Sequence, residues 1–172
     1  MPVYLFTFHS HGSWLPDHKQ GYTRKKQGVL PADPAMAERY RDNMTTGVVR
    51  FDQQTQSTLI AAVQEKADVK GWAAHAIATD PTHAHILLSW SDDTAPLDVR
   101  RGLKASITRQ LNRAIRKQTW LSQGGSRKPI KDSAHFTHLI RTYLPKHQGQ
   151  IWIAPQHRAA QAPRGYHPRA KP

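Results

Sequence analysis

An α+β fold on a split βαβ antiparallel sheet is predicted by three observations. Short runs with strand composition and period-two alternation lie at residues 3–8, 72–79 and 82–90. Two long stretches instead carry apolar residues at helical spacing. Taken with a short run at 127–131, these elements follow one another as strand, helix, strand, strand, helix, strand, the order of a ferredoxin-like sheet with helices on one face and the other face free. A C-terminal tyrosine-bearing helix completes this reading.

The first strand, residues 3–8, is apolar and aromatic, and His9, Ser10 and His11 stand at its end. Residues 12–50 break the pattern with Pro16, Gly21, Gly28, Pro31 and Pro34 and the basic cluster Arg24, Lys25 and Lys26. This stretch reads as a long excursion holding one short helix at 34–43, either a solvated loop or an arm that touches nucleic acid. Asp52 is an N-cap for a helix to about Val69 whose stripe is Leu59, Ile60, Val63 and Ala67, and Gly71 ends it. The strand at 72–79, the turn signal Asp80-Pro81 and the strand at 82–90 form an antiparallel hairpin. A second long helix runs to about Arg116 with Leu103, Ile107, Leu111 and Ile115 facing the sheet. Its other faces carry Arg100, Arg101, Lys104, Arg109, Arg113, Arg116 and Lys117 against the lone acid Asp98, a pattern that suits phosphate contact. Residues 120–125 read as a loop, 127–131 as a short fourth strand, and 133–144 as a helix with Phe136, Leu139, Ile140 and Tyr143 at helical spacing. One domain is expected over residues 1–153, and the proline-rich, basic tail 154–172 reads as disordered.

Composition narrows the function. The chain has 172 residues, 38% hydrophobic, with no apolar run long enough for a membrane span and no basic region ahead of its short N-terminal apolar run. A cytoplasmic protein is therefore expected. With no cysteine, disulfides and thiolate zinc sites are excluded, so a metal would be held by His, Gln, Asp, Glu or Tyr. The excess of 25 Lys and Arg over 12 Asp and Glu, a formal charge of +13, points to a polyanion, with nucleic acid first.

The strand at 82–90 holds the most informative residues. Its alternation sends Ala84, Ile86, Leu88 and Trp90 to one face and both His83 and His85 to the other. Residues two apart on a strand lie roughly 6.5 to 7 Å apart with parallel side chains, so two imidazoles can converge on one divalent cation. Among 11 histidines such a pair can also arise by chance, and a second one occurs at His9 and His11. The combination of His83-Ala84-His85 on a strand, a late helix bearing Tyr143, and His147 and Gln148 four and five positions beyond it resembles the single-tyrosine HUH nucleases. It is similar in particular to the insertion-sequence transposases of that class and their REP-associated relatives. The resemblance runs from Val3 to about Gln150, is most specific over residues 72–88, and extends to Gly124-Gly125-Ser126 and Gln148-Gly149.

That resemblance implies a transposase-like endonuclease and strand transferase acting on single-stranded or hairpin DNA. Tyr143 would be the nucleophile, leaving a 5′-phosphotyrosine link and a free 3′-hydroxyl, and Mg²⁺ or Mn²⁺ would be held by His83, His85 and His147 or Gln148. Dimeric members can place the tyrosine helix of one subunit against the histidines of the other, so a homodimer is within the expectation. Two departures stand out. Pro145 disfavours helical geometry at Leu144 and threatens the alignment of His147, leaving room for a non-catalytic binding module. The excursion at 12–50 is longer than a minimal transposase requires, which hints at a domesticated relative. In such a sheet the first and third strands are neighbours, so His9 or His11 would either contact the scissile phosphate or hydrogen-bond a nearby loop.

Overall fold

The computed structural model describes residues 1–19, 21–24, 27–44 and 47–158. The first apolar run forms β1 (Val3–His9), which pairs antiparallel with both of its neighbours. A hairpin of β2 (Tyr22–Arg24) and β3 (Gly28–Leu30) and the helix α1 (Pro34–Asp42) occupy the excursion. The helix was legible from Pro34, and Asp33 caps it by accepting from the Met36 N–H at 2.9 Å. The small hairpin was not anticipated. Lys25 and Lys26 of the basic cluster lie outside the described residues. The excursion rejoins the core through Val49, whose N–H donates to the His11 carbonyl, and Phe51, whose N–H donates to the Pro81 carbonyl.

Asp52 caps α2 (Gln53–Lys70) by accepting from the Thr55 N–H at 2.8 Å, and Gly71, at φ +67°, closes it in the left-handed conformation. Then come β4 (Ala73–Asp80), β5 (His83–Ser89), α3 (Pro96–Ala114) and β6 (Ser126–Pro129). A fifth sheet strand, β7 (Ile151–Ile153), was not expected and pairs antiparallel with β4. The sheet order is β6-β1-β5-β4-β7. Without β7 this is fourth, first, third, second, the ferredoxin-like arrangement expected from the element order.

Alternation divides the core between the two faces. Phe6, Phe8, Ile77, Ala84, Ile86 and Leu88 pack with Leu59 and Val63 of α2 and with Val99, Leu103, Ile107 and Leu111 of α3. The opposite face, expected to be free, is partly covered. There Leu5, Ala76, Ala78, Leu87 and Ile153 pack against Leu139, Ile140 and Leu144 of the tyrosine segment. Three buried leucine and isoleucine side chains on that segment are what hold it to the sheet, and burying each is worth about 1.5–3 kcal/mol.

The tyrosine segment is not one regular helix. It begins as α4 (Ser133–His138), widens into a π turn over Leu139–Tyr143, and tightens into a 3-10 turn over Leu144–Lys146. Leu144 keeps right-handed helical geometry, at φ −64° and ψ −37°, so the distortion expected there is taken up by the change of pitch. The wide turn suits a proline because Pro145 has no N–H to place in an i→i−4 ladder, and a π turn relaxes the crowding of its ring against the preceding turn. Residues 155–158 make one further helical turn, α5 (Pro155–Arg158), and residues 159–172, the greater part of the tail read as disordered, lie outside the described residues. Among the described residues no helix is long and apolar enough to cross a membrane.

Candidate metal centre and tyrosine

Strand register assembles the site. His83 and His85 share the face that bears Leu87, while Ala84 between them is fully buried against the helices. The antiparallel pairing of β1 with β5 sets Thr7 opposite His85 and His9 opposite His83. The π turn carries Tyr143 over the same face, and the 3-10 turn brings in His147. One nitrogen from each of His83, His85 and His147 lies within 4.8 Å of the other two. Tyr143 Oη is 3.2 Å from His85 Nε2 of the same chain.

The outer nitrogens are already engaged, which decides what the inner ones can do. His147 Nδ1 lies 3.0 Å from the Leu144 carbonyl and must carry the proton it donates there. His85 Nδ1 lies 2.8 Å from the buried Thr7 hydroxyl, and His83 Nδ1 lies 3.1 Å from that of Thr82. Either threonine hydroxyl can donate or accept, so when Nδ1 carries the proton on all three rings the Nε2 lone pairs are the ones left to ligate. That is the usual arrangement in which a second partner orients a ligating imidazole.

Asp80, read from the sequence only as part of a turn, joins the site to its supports. Its Oδ1 accepts from the backbone N–H groups of Gln148 at 2.8 Å and Gly149 at 3.3 Å, and its Oδ2 lies 3.5 Å from His83 Nε2 and 4.0 Å from His147 Nε2. Gln56 of α2, also unforeseen, extends the clasp: its Oε1 accepts from Thr79 Oγ1 at 2.9 Å and from the Gln150 N–H at 2.8 Å. Both residues depend on contacts between distant segments, and only the placement of Asp80 directly before the histidine strand could have signalled one of them.

Burial keeps the imidazoles neutral. It holds His85 down to about 3, helped by the neighbouring His83 and His147, and holds His9 down to about 4, helped by His83 and His18. His83 is also lowered, mainly by burial, against the opposing pull of Asp80. Neutral imidazole is the ligand form, so holding His83 and His85 neutral suits a divalent cation. Tyr143 is pushed above the usual phenol range by burial and by the Asp80 charge, so the protein alone does not favour the phenolate.

Of the other residues singled out from the sequence, His9 comes to the site, its ring centroid 5.8 Å from that of His83 and 4.7 Å from that of Trp14. His11 does not: its contacts are backbone hydrogen bonds to Trp120 and Val49. Gln148 is exposed, and among the described residues it is tied through its backbone alone, to Asp80. The cations of α3 lie across the sheet from the histidines. Arg100 donates to the Gly125 carbonyl, Lys104 to the Ser122 and Gln123 carbonyls, and Arg101 pairs with Asp98 at 3.0 Å, so these three hold loops or neighbours. Arg109 and Arg113 on α3, and Arg116 and Lys117, which lie beyond its end at Ala114 although the helix was expected to reach about Arg116, are exposed and make no hydrogen bond or ion pair among the described residues.

No family model and no curated protein matches the chain. Solved structures similar to it include a REP-associated tyrosine transposase bound to a REP hairpin, at 12% identity and a TM-score of 0.44 over 80% of this chain. The chain spans 61% of that protein's length. A protein from Deinococcus radiodurans R1 with a provisional transposase designation is similar at 14% identity and a TM-score of 0.44, over 86% of this chain and 92% of the other.

Proposed function

We propose that this protein is a metal-dependent endonuclease and strand transferase for single-stranded DNA, of the single-tyrosine HUH type. The observation that carries the reading is the Tyr143 hydroxyl standing 3.2 Å from His85 Nε2, beside three imidazoles that can share a cation. His83, His85 and His147 are the proposed ligands. His147 is preferred to Gln148 because its ring belongs to the cluster, whereas Gln148 is exposed. Three nitrogen donors favour Mn²⁺ over the oxygen-seeking Mg²⁺. When bound, such an ion would polarise the scissile phosphate and lower the pKa of the nearby phenol.

Tyr143 Oη then forms a bond to phosphorus as the bond from phosphorus to the 3′-oxygen breaks. The phenol gives up its proton, the leaving oxygen gains one, and the product is a 5′-phosphotyrosine with a free 3′-hydroxyl. One phosphoester replaces another, so the 3′-hydroxyl of the same or another strand can reverse the step without a nucleotide cofactor. The Leu144 carbonyl would fix the tautomer of His147, and the Thr7 and Thr82 hydroxyls would orient the rings of His85 and His83. His9, neutral and beside His83, would contact substrate. Tyr143 reaches histidines of its own chain, so a second subunit is not required to complete the site. The charge of +13 and the absence of cysteine suit a cytoplasmic, DNA-bound role.

A non-catalytic binding module was the competing expectation, which rested on a kink at Pro145; Leu144 keeps helical dihedrals while the segment changes pitch around it, and Tyr143 still lies 3.2 Å from His85 Nε2. Covalent trapping separates the two. A labelled pool of hairpin oligonucleotides with randomised single-stranded flanks, incubated with Mn²⁺, is expected to leave a DNA-linked protein band that Tyr143→Phe lacks. A band that persists in Tyr143→Phe, or free 5′-phosphate ends without any adduct, overturns the reading.

A further inference from the structure

The two faces of β6 send their charges to different places. Lys128 is the antiparallel partner of Leu5, and Leu5 belongs to the face that carries the histidines. Arg127 is the partner of Phe6 and so faces the helices, where its charge acts on Arg100. Lys128 lies on an edge strand, is exposed, and among the described residues makes no hydrogen bond or ion pair. Two strand spacings and one pleat separate it from His85, a span of roughly 12 Å between backbones that a lysine side chain crosses about halfway.

We infer that Lys128 is a phosphate-binding residue of this site, reaching from the β6 edge to a non-bridging oxygen of the phosphodiester that Tyr143 attacks. The assignment rests on the function proposed above. The acid at the site, Asp80, lies on the side of His83 and His147 and already accepts from two backbone N–H groups. On the β6 side of a phosphodiester between Tyr143 and the imidazoles, Lys128 supplies an exposed cation that makes no hydrogen bond or ion pair among the described residues. The phosphodiester charge rises from one to two negative units as the nucleophile adds, so the ammonium contributes more in the transition state than in the bound ground state. Lysine suits this role as a mobile point charge on a long stem, extending from a strand too exposed to bury it.

The test compares wild type, Lys128→Ala and Lys128→Arg on the hairpin oligonucleotide recovered from the covalent adduct, at saturating DNA and Mn²⁺. Lys128→Ala is expected to slow adduct formation roughly 10- to 100-fold while changing the affinity for DNA less than about threefold, and Lys128→Arg to recover part of the rate. A methylphosphonate at the scissile position, which removes one charged oxygen, is expected to slow wild type more than it slows Lys128→Ala. A wild-type rate in Lys128→Ala, or an equal methylphosphonate penalty in both proteins, overturns the assignment while leaving the nuclease reading intact. The absence of any adduct from wild type overturns both.

Discussion

Single hydroxyls decide how well the imidazoles of this site are presented. Thr7 is buried opposite His85, and its Oγ1 is the partner of His85 Nδ1 at 2.8 Å. Thr7→Val keeps shape and strand preference but removes the hydrogen-bond partner of that nitrogen. Mn²⁺ affinity, followed by calorimetric titration, is expected to fall roughly 10- to 100-fold while the fold survives. Unchanged affinity would show that the hydroxyl does not orient the ligand. His83→Ala and His85→Ala are each expected to abolish adduct formation yet bind single-stranded DNA nearly as well as wild type, because the unpaired cations of α3 lie across the sheet from them. Cleavage at the wild-type rate by either variant at limiting Mn²⁺ would remove it from the ligand set. The two histidines could be read from the sequence because a period of two is a local property. Thr7, Asp80 and Lys128 could not, because each joins the site through the register of a strand distant in sequence.

At the scale of elements, the long amphipathic pieces were legible and the short irregular ones were not. Helices α2 and α3 and the strands β1, β4 and β5 carry full apolar periods, whereas β7 is a three-residue strand that forms only because β4 has a free edge. The π turn that carries Tyr143 has no local signal beyond Pro145. What places His147 is the short loop after it, clasped by Asp80 and Gln56 and pressed against β4. Gly149 permits that approach, since a Cβ there would meet the Thr79 carbonyl oxygen and the Gln56 side chain. Gly149→Ala is therefore expected to push the loop outward. Adduct formation should drop at least about tenfold, with most of the loss recovered at higher Mn²⁺, since the ligand is displaced and not removed. A variant with wild-type metal dependence would mean that the loop does not set the position of His147.

The whole molecule separates affinity from chemistry and makes its stability dependent on pH. Exposed Arg109, Arg113, Arg116 and Lys117 stand on the helical face, while the histidines and Tyr143 stand on the other, so a bound strand that uses both must pass around an edge of the sheet. Binding of single-stranded DNA should weaken steeply with salt, log K falling by about 0.7 per phosphate contact against log salt, and with the same slope in His85→Ala as in wild type. A flat response would show that the charge of +13 serves another purpose. Acid acts through the buried imidazoles. His75, on the bulge of β4, lies 2.8 Å from Ser89 Oγ and 3.0 Å from His157 Nε2, and burial followed by the His157 charge holds it down to about 4. His9 is held to about 4 and His85 to about 3, against an ordinary value of 6.5. Between pH 6.5 and 4 the unfolded chain therefore binds protons that the folded chain excludes. Stability rises with pH across that window and falls as the solution is acidified. In metal-free buffer the urea midpoint is expected to be lower at pH 5 than at pH 7, and His75→Gln, which removes one such proton site, to make that difference smaller. Equal midpoints for wild type at the two pH values would mean that His9, His75 and His85 are not held neutral by the fold.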